Sequence, residues 1–289
     1  MIEIATCLVC GGRQFSVLHE ATYDLDAEAA HRFFLTHRER ALRGRVMKCE
    51  TCAFQFTSPQ FAPAEYDRIY SNIPAPPAQD GTAERVRFEA LAQKLRGYVS
   101  GGRLLDFGCG GGGFLRLAHG YDSFGFEVSH AAESWDGHIF RGRFEAARRN
   151  RPEFADASFD AVAAWDVLEH LPAIDEDLAA MRAVLKPNAP LVFSVPNVGS
   201  IAARVQGGRW NSYLLEHLWY FQPRTIDRFL TARGFARRAL HAIPYPASLR
   251  ILVQRLNQSL PFALPEAEFA DKWVLPLPIG LMFGVYVKC

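Results

Sequence analysis

Asp106 closes the apolar run Leu104-Leu105, and Phe107-Gly108-Cys109-Gly110-Gly111-Gly112-Gly113 follows it. This reads as a buried strand, then a loop that a ligand approaches closely because no Cβ intervenes, then a helix whose first turn offers free N–H groups. Gly108, Gly110 and Gly113 also satisfy G-x-G-x-x-G, the dinucleotide spacing, so glycine alone leaves the ligand open. Asp106 separates the readings. A carboxylate two residues before the first glycine repels an incoming pyrophosphate and suits a ligand that carries an ammonium and a sulfonium. Glu127 ends the next strand, about 20 residues on, where an acid can hold a ribose diol.

A second group lies in Trp165-Asp166-Val167-Leu168-Glu169-His170. Coiled helically, Asp166, Glu169 and His170 share one face. Two carboxylates and an imidazole can bind a divalent metal or act as acid and base. His217, in Leu215-Glu216-His217-Leu218-Trp219, can join them after a chain return, as a further ligand, a substrate contact or a general base. The plainer reading is a polar cap with a hydrogen-bonded histidine. A third group is Cys7-Leu8-Val9-Cys10-Gly11-Gly12 with Cys49-Glu50-Thr51-Cys52. Paired C-x-x-C units suit a tetrahedral, four-thiolate structural zinc site, which leaves no open position for catalysis. A redox dithiol and a vestigial site are the alternatives.

The elements that position these groups alternate. Strands are expected at 103–107, 123–128, 138–140, 159–165 and 191–195. Helices are expected after the glycine loop through Leu115 and Leu117, over a stretch carrying Ile174, Leu178, Met181 and Leu185, and over 223–233 with Gly234 as its cap. Alternation of this kind implies βαβ units and a parallel sheet covered on both faces. Strands at 235–243 and 281–287 close the domain. Residues 1–70 read as a unit of their own with a polar helical insertion near 26–43, residues 71–83 as a linker rich in proline and small residues, and 84–289 as the larger domain. Leu249, Leu252, Val253, Leu256 and Leu260 form a stripe that predicts an amphipathic helix, read chiefly as a packed surface helix and otherwise as a cover for the substrate cleft.

The loop, the acid spacing and four downstream blocks resemble the class I S-adenosylmethionine-dependent methyltransferases over roughly residues 85–289. The blocks are Ser158-Phe159-Asp160-Ala161-Val162, Val167-Leu168-Glu169-His170-Leu171, Leu185-Lys186-Pro187-Asn188 and Val195-Pro196-Asn197. The resemblance implies a Rossmann-like, doubly wound, mostly parallel seven-stranded sheet with an antiparallel last strand. It also implies that Asp106 with Gly108, Cys109, Gly110 and Gly112 holds the methionine end of S-adenosylmethionine, that Glu127 binds the ribose, and that Phe144 and Trp165 lie at the cofactor. Arg143 stands where the family usually has an acid, and Asn188 where glycine is more usual. The Glu169-His170 block with a later histidine is similar to magnesium-dependent O-methyltransferases of small RNA ends and of quinone biosynthesis, with Asp166 in place of their first Glu. The cysteine segment resembles the zinc-ribbon N-termini of many bacterial methyltransferases.

The 289 residues carry a formal net charge of +1, with 49% hydrophobic and 22% charged residues. Near-neutral charge argues against a chain built mainly to neutralise nucleic-acid phosphates. The N-terminus lacks the pattern of a secretory signal. The apolar stretch Trp273–Val287, broken by Pro276, Pro278, Gly280 and Gly284, reads as a buried strand with a turn rather than a membrane span. The expectation is a cytoplasmic methyltransferase acting on a small molecule, such as a sugar or secondary-metabolite hydroxyl or carbon. An RNA methyltransferase gripping nucleic acid through its zinc ribbon, with arginines at 32–45 and 141–151, is the first alternative. A nicotinamide-dependent oxidoreductase on the same fold and an idle scaffold are the others; Asp106 speaks against the first of these, and Asp106 with Glu127 against the second.

Overall fold

The computed structural model describes residues 1–23, 34, 42–72, 82–129, 139–142, 144–249, 253 and 273–289. The expected insertion near 26–43, most of the linker, Arg143 and the stripe after Leu249 lie largely or wholly outside the described residues.

The N-terminal segment forms β1 (Phe15–His19), β2 (Val46–Cys49), β3 (Gln55–Thr57) and helix α1 (Pro63–Ser71). Helix α2 (Thr82–Arg96) then leads to β4 (Gly102–Phe107), β5 (Tyr121–Glu127) and β6 (Ile139–Arg141). After α3 (Phe144–Asn150) come β7 (Ala161–Trp165), α4 (Ile174–Val184), β8 (Pro190–Pro196) and α5 (Ile201–Gln206). The chain ends with β9 (Trp219–Tyr220), α6 (Pro223–Thr231), β10 (Phe235–Ser248) and β11 (Val274–Lys288).

Seven strands form the main sheet in the order β10-β11-β8-β7-β4-β5-β6. The pairs from β8 to β6 are parallel, whereas β11 runs antiparallel to both β8 and β10. The protein therefore has the Rossmann-like α/β architecture with an antiparallel last strand. Alternation along the strands fills both faces. Leu104, Ala161, Ala163, Trp165 and Val192 pack with Leu91 and Leu95 of α2 on one side. Leu105, Phe107, Val162, Ala164, Leu191 and Phe193 pack on the other with α4, which buries Ile174, Leu178, Met181 and Val184. Each of the buried Leu, Val, Ile, Phe and Met side chains among these contributes about 1.5–3 kcal/mol relative to exposure.

Two expectations are corrected. Only a single 3-10 turn, Leu115–Leu117, follows the glycine loop. Gly120, at φ 93°, sends the chain into β5 too soon for an α-helix to form. The stretch from Trp273 is one long strand, β11, in place of a strand and a turn, although its pairing with β10 slips beside Gly280 (φ 88°): Ile243 faces Leu281 and Tyr245 faces Leu277. Its first half is not buried, since Trp273 is 64% and Leu275 43% exposed.

The cysteine segment does not stand apart. Its strands make a second sheet, β1-β2-β3-β9, whose last strand, Trp219–Tyr220, comes from the larger domain. Cys7, Val9, Phe54 and Phe56 share one continuous core with Leu168, Trp219 and Phe221.

Candidate active site

β4 is flanked by β5 on one side and by β7 on the other, so the strand order reverses beside it. Ligands of open α/β sheets bind at the carboxyl ends of the strands at such a reversal. A cavity of about 690 Å³ opens there, lined by Gly108, Gly110, Glu127, Phe144, Asp166 and His170 among others. Gly108 (φ 73°) and Gly110 (φ 50°) adopt the left-handed conformation that favours glycine. A Cβ on Gly108 would stand 2.6 Å from Val167 Cγ2, so the loop and the segment after β7 close on each other only because it is absent.

The Glu127 carboxylate accepts from the Gly110 N–H at 2.9 Å and from the Ser129 N–H at 2.8 Å. These bonds fix the acid at the cavity wall. Asp106 lies one residue short of the lining, 1% exposed, and its Oδ1 has no hydrogen-bond partner. Burial, then the charge of Glu127, holds its carboxyl well above the ordinary range. Two acids at a strand end, one with an orphaned oxygen, form a site short of positive charge.

Phe144 packs edge-on against Phe107 and Phe126 with ring centroids 5.1 and 4.9 Å away. Cys109, Gly112 and Trp165 are absent from the lining. The Cys109 N–H donates to the Phe126 carbonyl, and its thiol turns in toward Gly125. Trp165 packs against Phe114 and Phe283 on the opposite face of the sheet.

Asp166 lines the cavity with His170 but is not part of the cluster of ligand atoms that Glu169 and His170 form. It sits at φ 54°, which Asp tolerates, and pairs with Arg87 of α2 and with the Ser194 hydroxyl. Glu169, His170 and His217 come together instead, each offering a ligand atom within 4.8 Å of the others. Glu169 is 1% exposed and neither carboxylate oxygen has a partner. Burial and the nearby Asp166 push its pKa well above the usual carboxylate range. Burial brings His170 down to about 4. Burial and the neighbouring His170 bring His217 down to about 3. Both imidazoles are therefore neutral at pH 7. Nδ1 of His170 lies 3.1 Å from the Glu216 carbonyl and Nδ1 of His217 lies 2.7 Å from the Ser212 carbonyl. With Nδ1–H donated to these carbonyls, each Nε2 keeps its lone pair.

Two further side chains at this place carry no sequence signal for it. Arg87 reaches Asp166 from α2, a helix that buries Leu91, Ala92 and Leu95. Tyr70, on α1, lines the cavity with its hydroxyl 3.4 Å from His170 Nδ1.

In the second sheet the four cysteines Cys7, Cys10, Cys49 and Cys52 cluster, with Sγ–Sγ distances of 3.6 Å for Cys7–Cys52 and for Cys10–Cys49. A tetrahedral zinc with Zn–S bonds of about 2.3 Å separates its sulfurs by about 3.8 Å, whereas a disulfide requires about 2.05 Å.

A methyltransferase-domain family model matches residues 82–240, more than half of the chain. The chain belongs to this family. It is a class I S-adenosylmethionine-dependent methyltransferase, and family membership sets the nicotinamide reading aside. A ubiquinone biosynthesis O-methyltransferase of Alkalilimnicola ehrlichii is 30% identical over 177 residues, 55% of this chain and 70% of that protein. Its counterpart by name in Paraburkholderia phymatum is 26% identical over 163 residues, 51% of this chain and 70% of that protein. Among solved structures, an S-adenosylmethionine-dependent methyltransferase from Archaeoglobus fulgidus gives a TM-score of 0.48 at 21% identity, covering 71% of this chain and 94% of its own. One from Mesorhizobium loti gives 0.44 at 19% identity, covering 72% and 99%.

Proposed function

We propose that this methyltransferase carries the methyl group of S-adenosylmethionine to a hydroxyl of a small, largely apolar acceptor, beside a divalent metal site made by Glu169, His170 and His217. The observation that carries the reading is the Glu169 carboxylate, buried without a partner against two neutral imidazoles. A buried carboxylate in that state is costly unless a cation completes it. Two imidazoles and one carboxylate are a donor set that transition-metal dications accept. Engagement of both Nδ1 atoms by backbone carbonyls is the support that metal-binding histidines commonly have.

Asp106 takes the cofactor's ammonium and Glu127 its ribose hydroxyls, while Gly108 and Gly110 let the backbone approach. Phe144 and Val167 furnish apolar wall for the adenine. Methyl transfer is an in-line displacement: the acceptor oxygen forms a bond to the methyl carbon as the sulfonium–carbon bond breaks, and neutral thioether leaves. Positioning supplies much of the acceleration, and a hydroxyl must also lose its proton. Glu169, His170 and His217 would hold a divalent ion, which when bound would supply positive charge that eases this loss. His170 and His217 suit the role of ligand better than that of general base, because imidazoles with pKa values of about 4 and 3 hold a proton weakly. The O-methyltransferase names of the two curated relatives support a hydroxyl acceptor. The apolar wall from Phe107, Phe126, Leu171 and Ala180 supports a small apolar one. The four-cysteine cluster is assigned to a structural zinc.

The test uses the full chain with simple phenols and catechols as probe acceptors. Chelation is expected to abolish methyl transfer, Mn²⁺ to restore it, and Glu169→Gln to remove both the activity and the bound Mn²⁺. Full activity after chelation, or in Glu169→Gln, would refute the metal role.

A further inference from the structure

The loop that carries His217 belongs to two places at once. On one side it is tied to the segment after β7: the Leu218 N–H donates to the Glu169 carbonyl at 2.8 Å and Trp219 Nε1–H to the Leu171 carbonyl at 2.8 Å. On the other it is tied to the cysteine segment. The Thr57 N–H donates to the Leu218 carbonyl at 2.9 Å, and the Thr57 hydroxyl donates to the His217 carbonyl at 2.9 Å. Tyr220, whose hydroxyl also reaches the His217 carbonyl, lies 3.2 Å from the Thr57 hydroxyl. The Tyr213 hydroxyl donates to Gln55 Oε1 at 2.7 Å, and its ring meets His19 at 5.0 Å.

The path from these contacts to the cysteines is short. Cys49 ends β2, the Cys49–Cys52 turn leads directly into β3, and Phe54 stacks on Trp219 with centroids 6.3 Å apart. Thr57, 3% exposed, is the last residue of β3. A turn drawn tight by four sulfurs thus fixes the strand that fixes the His217 backbone.

We infer that the four-cysteine unit tunes the catalytic cluster, with Thr57 as the positioning residue that sets His217 for its ligand role. The inference rests on the metal reading of Glu169, His170 and His217 given above. The N-terminal segment is then part of the active site's support, acting through a two-residue strand pairing, Gln55 with Tyr220 and Phe56 with Trp219. Partners that orient metal ligands from outside the coordination sphere commonly change affinity by about 10–100-fold when removed.

The experiment is Mn²⁺ binding followed by its electron paramagnetic resonance signal, on the intact, zinc-loaded full chain. Thr57→Val, which removes the hydroxyl and keeps the branched shape, is expected to weaken Mn²⁺ binding about tenfold. Its zinc content and S-adenosylmethionine affinity are expected to stay unchanged. Thr57→Ser, which keeps the hydroxyl, is expected to bind Mn²⁺ as the unsubstituted protein does. Unchanged Mn²⁺ affinity in Thr57→Val would overturn the coupling alone. So would a Thr57→Ser variant as weak as Thr57→Val, or a parallel loss of S-adenosylmethionine affinity, which would mark an effect on the whole fold. No Mn²⁺ site in the unsubstituted protein would overturn the metal reading itself.

Discussion

Asp106 is the residue on which the cofactor site turns. Its carboxyl is buried beside Glu127 and held well above the ordinary carboxylate range by that burial and that charge. An ammonium arriving at Oδ1 reverses the balance, because the ionised form then gains a partner. Binding of S-adenosylmethionine is therefore expected to release protons, and affinity to rise with pH until the raised pKa is passed. Calorimetry in two buffers of different protonation enthalpy reads this directly; equal apparent enthalpies would contradict it. The sign for stability is opposite. The folded, ligand-free protein holds this proton longer than the unfolded chain, so Asp106 lowers stability as pH climbs through its folded pKa. At this scale the sequence was informative about residue types and less so about their neighbours. Glu127 and the glycines stood out because spacing along a strand–loop–helix pattern is local. That Asp166 pairs with Arg87, leaving His217 to complete the Glu169–His170 cluster, depends on contacts across 79 residues in one case and on a chain return in the other. No local pattern encodes the first, and for the second the sequence offers His217 only as a candidate.

Among elements, the strands of the main sheet were legible because both of its faces are buried and apolar runs bounded by glycine and proline mark them. The ends of β10 and β11 were less so. They pair with each other as far as Ser248 and Val274, where Ala247 and Ser248 of β10 are buried but Leu275 of β11 is 43% exposed, so no single burial pattern marks the pair. The two-residue strand β9 was illegible, being too short for any periodicity. Yet it carries the link between the cysteine segment and the His217 loop. Phe54, 0% exposed, stacked on Trp219 and tilted against Phe221, anchors that link. Phe54→Ala is expected to cost about 3–5 kcal/mol, read by urea unfolding of the full chain. A loss below about 1 kcal/mol, ordinary for a surface site, would show that this junction contributes little.

For the molecule as a whole, the sequence divides into a cysteine unit, a linker and a larger domain. The structure gives the cysteine unit and the larger domain a common core and a shared sheet. A composition shift marks a change of chain character, and it does not report whether two apolar faces pack on each other. One consequence concerns zinc. Since Cys7 and Cys49 belong to the same core as α4 and β8, stripping the zinc is expected to lower the melting temperature of the entire molecule in one transition. Metal analysis is expected to give about one zinc per chain, lost in Cys49→Ser. Scanning calorimetry with a strong chelator checks the coupling. A main transition unmoved by chelation would contradict it.

Among the described residues no helix is long and apolar enough to cross a membrane, and the cavity beside Glu127 opens at the strand ends where β4 meets β7. The cofactor assignment to that place is tested most directly by titrating S-adenosylmethionine into the full chain and into Asp106→Ala. The expected result is one site per chain, with affinity at least about tenfold weaker in the variant, a difference of about 1.4 kcal/mol. Equal affinity in the two proteins, or no binding by the unsubstituted chain, would contradict the assignment.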